Sequence, residues 1–153
     1  MSVAFRRESD EEHLEPRFEV PLPPGPNLVT PAGLAQIAER IARLEAALLQ
    51  PADESALTAI KRDLRYWQAR LASAEVQPAA TGDAVAFGCR VQFRRGGQLR
   101  EIAIVGSDEA DPALGRLAFT APLARALTGA AVGDLVAFAG QDEAIEIVGI
   151  EPL

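Results

Sequence analysis

The chain of 153 residues has one histidine, His13, one cysteine, Cys89, and a single Met, Trp and Tyr. One imidazole and one thiol cannot build a His/Cys metal centre. They also leave no Cys-His or Ser-His-Asp set in any region that reads as ordered. A lone Cys89 forbids an internal disulfide and suits a reducing compartment. Long apolar runs are absent too: none approaches the roughly 20 residues of a membrane span, and the opening MSVAFRRESDEEHLE lacks an apolar signal core. The expected location is therefore the cytoplasm, with no membrane partner. Basic residues are outnumbered 15 to 22, and the net charge of -7 argues against wrapping of nucleic acid. What these absences leave is a chain expected to work by binding something large, without being an enzyme or carrying a cofactor of its own.

The charge that is present is unevenly spread. Residues 1–29 hold three Arg against six acids, residues 30–77 six basic against six acidic groups, and residues 78–153 six Arg against ten acids. Only the middle third can offer a positive face. Residues 1–29 read as a Pro-rich acidic tail, because Pro16, Pro21, Pro23, Pro24 and Pro26 oppose both helix and central strand. Within it Phe18, Val20 and Leu22 alternate, so the expectation is a largely extended or disordered tail with one local docking patch.

Helical order begins at Thr30-Pro31, an N-cap hydroxyl followed by a proline at the first helical position. Leu34, Ile37, Ile41, Leu44 and Leu48 then recur at spacings of 3 and 4, and Pro51 stops the run. A second run from Asp53 places Leu57, Ile60, Leu64, Trp67, Leu71 and Ala74 in the same rhythm. Two such seams joined by a few residues predict an antiparallel helical hairpin over residues 30–77. Pairing Leu48 with Leu57, Leu44 with Ile60, Ile41 with Leu64, Ile37 with Trp67 and Leu34 with Leu71 gives position sums of 104 or 105 throughout. That register sets Arg40 near Asp63 and Glu45 near Lys61. Arms of about 28 to 34 Å follow from the helical rise. The seam's burial only roughly offsets the entropy of ordering both arms, so the hairpin needs anchoring at its open end.

After Val76 the period shortens to two. Val85, Phe87, Cys89, Val91 and Phe93 alternate as a strand, and Arg95-Gly96-Gly97-Gln98 turns into a second strand, Leu99 to Val105. A polar loop from Ser107 to Gly115 leads to a short strand at residues 116–120. Pro122 starts a brief helix through Leu127. Strands at residues 135–138 and 144–150 follow, separated by a turn at Gly140-Gln141-Asp142. Residues 78–153 are thus expected to form a small antiparallel sheet with one short helix, an α+β unit.

A helical hairpin followed by such a unit is the layout of the bacterial GreA/GreB transcript cleavage factors, and the residues extend the likeness. Asn27-Leu28-Val29-Thr30-Pro31-Ala32-Gly33 resembles the family's start of the first helix, and Ala74-Glu75-Val76 the end of its second. Val85–Gly88, Ile104–Asp111, Pro122–Leu127 and Val132-Gly133-Asp134 resemble blocks of the family's C-terminal domain; Ala121 stands where the family usually has a polar residue. The resemblance covers about residues 27–153. It implies an α+β protein: an antiparallel two-helix coiled-coil hairpin, then an FKBP-like antiparallel β-sheet domain with one short helix. It implies RNA polymerase as partner, with residues 78–153 docking at the rim of the secondary channel, the hairpin entering it, and the chain acting as a monomer. Asp108, Glu109, Asp111, Pro122, Leu123, Ala124 and Arg125 carry the polymerase contact under that resemblance.

Several residues have a plain reading beside the functional one. Arg40, Arg43, Lys61, Arg62 and Arg65 are either a basic shaft facing nascent RNA or an acidic wall, or the solvated flanks of the hairpin. Cleavage-stimulating Gre factors carry an Asp and a Glu three positions apart at the tip, which help hold a second Mg²⁺ of the polymerase. Here the tip has only the adjacent Asp53-Glu54, whose side chains do not share a helix face, on arms shorter by several turns. An N-cap and a first-turn acid explain that pair more simply. The expectation is a Gre-family regulator that modulates elongation without acidic-tip cleavage. The alternatives are a cleavage factor using Asp53 and Glu54 with the polymerase's Mg²⁺, or a protein resembling the Rnk-type regulators of nucleoside diphosphate kinase.

Overall fold

A computed structural model describes residues 19–153, a mixed α+β chain with three α-helices and two β-sheets. Strand β1 (Asn27–Val29) leads into helix α1 (Pro31–Leu48), and helix α2 (Glu54–Ser73) runs back into strand β2 (Ala74–Val76). Both helix starts use side-chain oxygens to satisfy otherwise orphaned N–H groups. Thr30 Oγ1 accepts from Gly33 N at 2.9 Å, and Asp53 Oδ1 accepts from Ala56 N at 2.7 Å.

The hairpin is where the apolar rhythm puts it, but its open end differs. Leu34, Ile41, Leu44, Leu48, Leu57, Ile60, Leu64 and Trp67 are half-buried, as two helices with no third layer must leave them, and Ile37 is buried. Leu71, the expected last seam residue, is instead 43% exposed, and Arg70 beside it is buried. Neither expected ion pair forms. Arg40 stacks on the Trp67 ring at 4.4 Å, Asp63 pairs with Arg62 at 3.2 Å, and Lys61 and Glu45 are exposed.

The stretch assigned to the tail ends earlier than residue 29. Asn27–Val29 pairs in parallel with Ala74–Val76, and Gln77 N donates to Val29 O at 3.0 Å. This small sheet ties the two arms together, so Ala74 starts a strand and does not extend the helix. Val20 and Leu22 are exposed, and Glu19 beside them pairs with Arg65 of the hairpin; Phe18 lies outside the described residues.

Five strands make the second sheet: β3 (Cys89–Arg95), β4 (Gln98–Val105), β5 (Arg116–Ala118), β6 (Leu135–Phe138) and β7 (Gln141–Pro152), in the order β5-β4-β3-β7-β6. The sheet is not wholly antiparallel, since β5 lies parallel to β4 after the loop and a 3₁₀ turn at Pro112–Leu114. Strand β3 starts at Cys89 and not Val85, because Gly88 takes φ +82° and breaks the run. The last hairpin turns at Ala139-Gly140, both at positive φ, so β7 begins at Gln141, inside the expected turn. Helix α3 (Pro122–Leu127) covers one face of the sheet. There Ala124 and Leu127 join Val85, Cys89, Val91, Phe93, Ile104, Ile145 and Ile147 in the core. No described helix is long and apolar enough to cross a membrane.

Candidate functional site

Three regions bear on function: the hairpin tip, its shaft, and the junction where the hairpin meets the five-stranded sheet. The tip is exposed throughout Pro51–Ser55. Asp53 spends a carboxylate oxygen on its own helix start, and Glu54 follows it in the first turn. That is the cap arrangement expected of an acid at a positive helix end. The two carboxylates are not brought together by any shared donor.

On the shaft most cations have partners within the chain. Arg43 pairs with Glu39 one turn away, Arg65 with Glu19 at 2.7 Å, and Arg62 with Asp63. Arg40 and Arg43 line a shallow groove with Leu44, Asp63 and Trp67, so the layers meet within a turn of the expected register. Of the five basic positions, Arg40 and Lys61 have no ion-pair partner among the described residues, and Arg40 is held on the Trp67 ring instead.

The junction holds a buried network of side-chain hydrogen bonds. Tyr66 and Arg70, one turn apart on α2, both reach Asp108 in the loop after β4. The Tyr66 hydroxyl donates to Asp108 Oδ1 at 2.6 Å and Arg70 Nε donates to Oδ2 at 2.6 Å. Arg70 Nη2 also donates to Asn27 Oδ1 at 2.6 Å, while Asn27 Nδ2 donates to the Arg70 carbonyl at 2.8 Å. The side chains of Arg70 and Asp108 are 5% and 10% exposed. Among the described residues no buried side-chain nitrogen or oxygen lacks a partner. Burial, with the hydrogen bond to the Asp108 carboxylate behind it, pushes the Tyr66 phenol up to about 12.

A second contact runs alongside. The Thr30 hydroxyl, already accepting from Gly33 N, donates to Glu109 Oε1 at 2.5 Å, which sets a carboxylate at the start of α1. Backbone closeness demands glycine at position 106, where a Cβ would lie 2.3 Å from Leu28 O; at Gly33 a Cβ would lie 2.6 Å from the Glu109 carboxylate and would have to displace that side chain. Neither Arg70 nor Asn27 was singled out by apolar periodicity. The available signal was the i, i+4 spacing of Tyr66 and Arg70, which puts two donors on one helix face.

The residues expected to touch a partner therefore divide. Asp108 and Glu109 are committed to the hairpin, and Asp111 holds the loop through main-chain bonds with Arg116 and Leu114. Ala124 is 0% exposed and packs on the sheet, so it offers no outward surface. Leu123 is half-buried against the same core. Pro122 and Arg125 face outward on α3, whose N-cap, Ala121, contributes no side-chain bond.

The half of the chain that carries this sheet has a recognisable kind. Residues 79–152 match the family model described as transcription elongation factor, GreA/GreB, C-terminal, and this domain is a GreA/GreB C-terminal domain. Among its relatives are the transcription elongation factor GreA of Methylobacterium nodulans and the GreB of Neisseria meningitidis. The first is 42% identical over 74 residues, covering 46% of this chain and 47% of its own length. The second is 37% identical over 99 residues, 60% of each chain. GreA of Desulfovibrio desulfuricans is 36% identical over 77 residues, 48% of each. The chain spans about half the length of the first curated relatives it matches. Among solved structures, GreA factor homolog 1 (Gfh1) of Thermus thermophilus is 18% identical with a TM-score of 0.40, over 83% of this chain and 99% of that one.

Proposed function

We propose that this chain is a transcription regulator that binds RNA polymerase through residues 85–153, the FKBP-like docking unit, and occupies the secondary channel with its short hairpin. The observation that carries the proposal is the family match over residues 79–152, a domain whose named relatives are transcription elongation factors. The outward side of α3, Pro122 and Arg125, is the contact face, and Lys61 with the outer shaft arginines lies toward nascent RNA or the channel wall. The chain acts by occupancy, with no chemistry of its own.

Cleavage stimulation through the tip is not part of this function. Asp53 is engaged by Ala56 N, and Glu54 is the adjacent helical position, so the two do not converge on one ion. At about 1.5 Å per residue, arms of 18 and 20 residues extend only some 27 to 30 Å. A backtracked elongation complex incubated with the chain is expected to yield no shortened transcript, and the Asp53→Ala variant to behave as the parent. Cleavage by the parent that Asp53→Ala abolishes would replace this reading with the acidic-tip one.

A further inference from the structure

The hairpin and the five-stranded sheet are joined covalently by residues 77–88, which contain no helix or strand. Gln77, Val85 and Gly88 are bonded to their own units, but residues 78–84 between them show no main-chain to main-chain hydrogen bond, among the described residues, that would fix the angle of a rod. Toward the base Val29 and Ile37 are buried while Leu71 is exposed, so apolar packing there is partial. The side-chain hydrogen bonds from the hairpin to the sheet unit are polar and directional. Asp108 takes a donor on each oxygen from two residues of one helix face, and Arg70 is gripped from its other side by Asn27 on β1. Apolar contact tolerates sliding, whereas a buried bidentate set is satisfied in only one arrangement. Gly106 lies so close to the Leu28 carbonyl that the surfaces also fit without side-chain padding.

From this geometry we infer that Tyr66, Arg70 and Asn27 are positioning residues: they set the direction of the hairpin relative to the docking unit by clasping Asp108. The inference rests on the proposed function, because direction matters only if one unit docks while the other must enter a channel. Loss of the clasp uncouples the two steps. Docking persists, since the clasp lies at the base of the hairpin and not on the outward side of α3. The hairpin's effect on transcription falls, because a hairpin that samples many directions spends only a fraction of its time in the one that enters the channel.

The test uses full-length chain with spin labels at Ser55→Cys and Thr120→Cys, both exposed positions, Cys89 being buried. The parent should give one narrow tip-to-sheet distance. Arg70→Gln should broaden or displace it. Arg70→Lys retains the charge but not the two-sided fork. It should keep most of the thermal stability yet still broaden the distance, a separation that a merely structural arginine would not produce. Tyr66→Phe, which removes one hydroxyl, is the variant to use should Arg70→Gln fold poorly, and it should broaden the distance to a lesser degree. With polymerase, these variants should keep the parent's affinity while their effect on elongation drops about tenfold or more. A distance unchanged in both Arg70→Lys and Tyr66→Phe overturns the inference. A parent that shows no polymerase binding sinks the functional proposal instead, and the label distances, read without polymerase, still decide the clasp.

Discussion

Arg70 and Asp108 form a pair that neither could survive alone in its surroundings. With both side chains almost wholly removed from water, each charge depends on the other and on the hydrogen bonds that satisfy the remaining atoms. Arg70→Met should therefore cost about 3–5 kcal/mol in urea unfolding, and pairing it with Asp108→Leu should recover most of that loss. An additive double variant would contradict the coupling. Tyr66, the chain's single tyrosine, permits a cleaner measurement. Its raised pKa favours the protonated phenol in the folded state. Its contribution to stability is thus complete below the ordinary value of 10.0 and lost as pH rises through about 12. Tyrosinate absorbance should titrate near 12 in the native protein and near 10 in denaturant. At this scale the sequence is a poor guide. Asp53 and Thr30 read correctly as caps, because capping depends only on the next few residues. Asp108 did not, because its partners lie 38 and 42 positions away and polar residues carry no periodicity.

Elements were legible wherever their reason is local. Both arms of the hairpin, α3, and the positions of β4 and β6 follow from spacing, proline and glycine. The three-residue strands β1 and β2 are too short to show alternation, and they exist only because the arms bring residues 27 and 74 together. The parallel pairing of β4 with β5 escaped for a similar reason: periodicity tells which face is buried, not which neighbour is beside it. At Gly106 the loop after β4 comes close to the Leu28 main chain of β1. Gly106→Ala would press a methyl against the Leu28 main-chain carbonyl, and backbone cannot move aside as a side chain can. The expected cost is about 1–3 kcal/mol, visible as a lowered Tm, with loosening confined to the junction. Hydrogen exchange should show β1 and β2 opening earlier while the protection of β3 and β7 is unchanged. Uniform loss of protection would show instead that the two sheets unfold as one.

At the scale of the whole molecule, one half of the chain carries a family identity and the other half carries the question. The sheet unit matches GreA/GreB over residues 79–152, and its sequence blocks announced it because turns, glycines and core positions recur in order. The hairpin is recognisable as a hairpin, and under the proposed function its arms of 18 and 20 residues and its capped tip acid are the reasons for leaving acidic-tip cleavage out. Between them lies the clasp at Asp108, which on the inference drawn above gives the hairpin the one direction that the proposed channel-occupying role requires. All of this depends on docking. Binding of the full-length chain to core RNA polymerase, compared with the Pro122→Ala/Arg125→Glu variant, measures it most directly. The expected result is a complex formed at micromolar concentration or below by the parent and weakened at least about tenfold by changing the outward residues of α3. No complex with the parent at micromolar concentration would contradict the account at its centre.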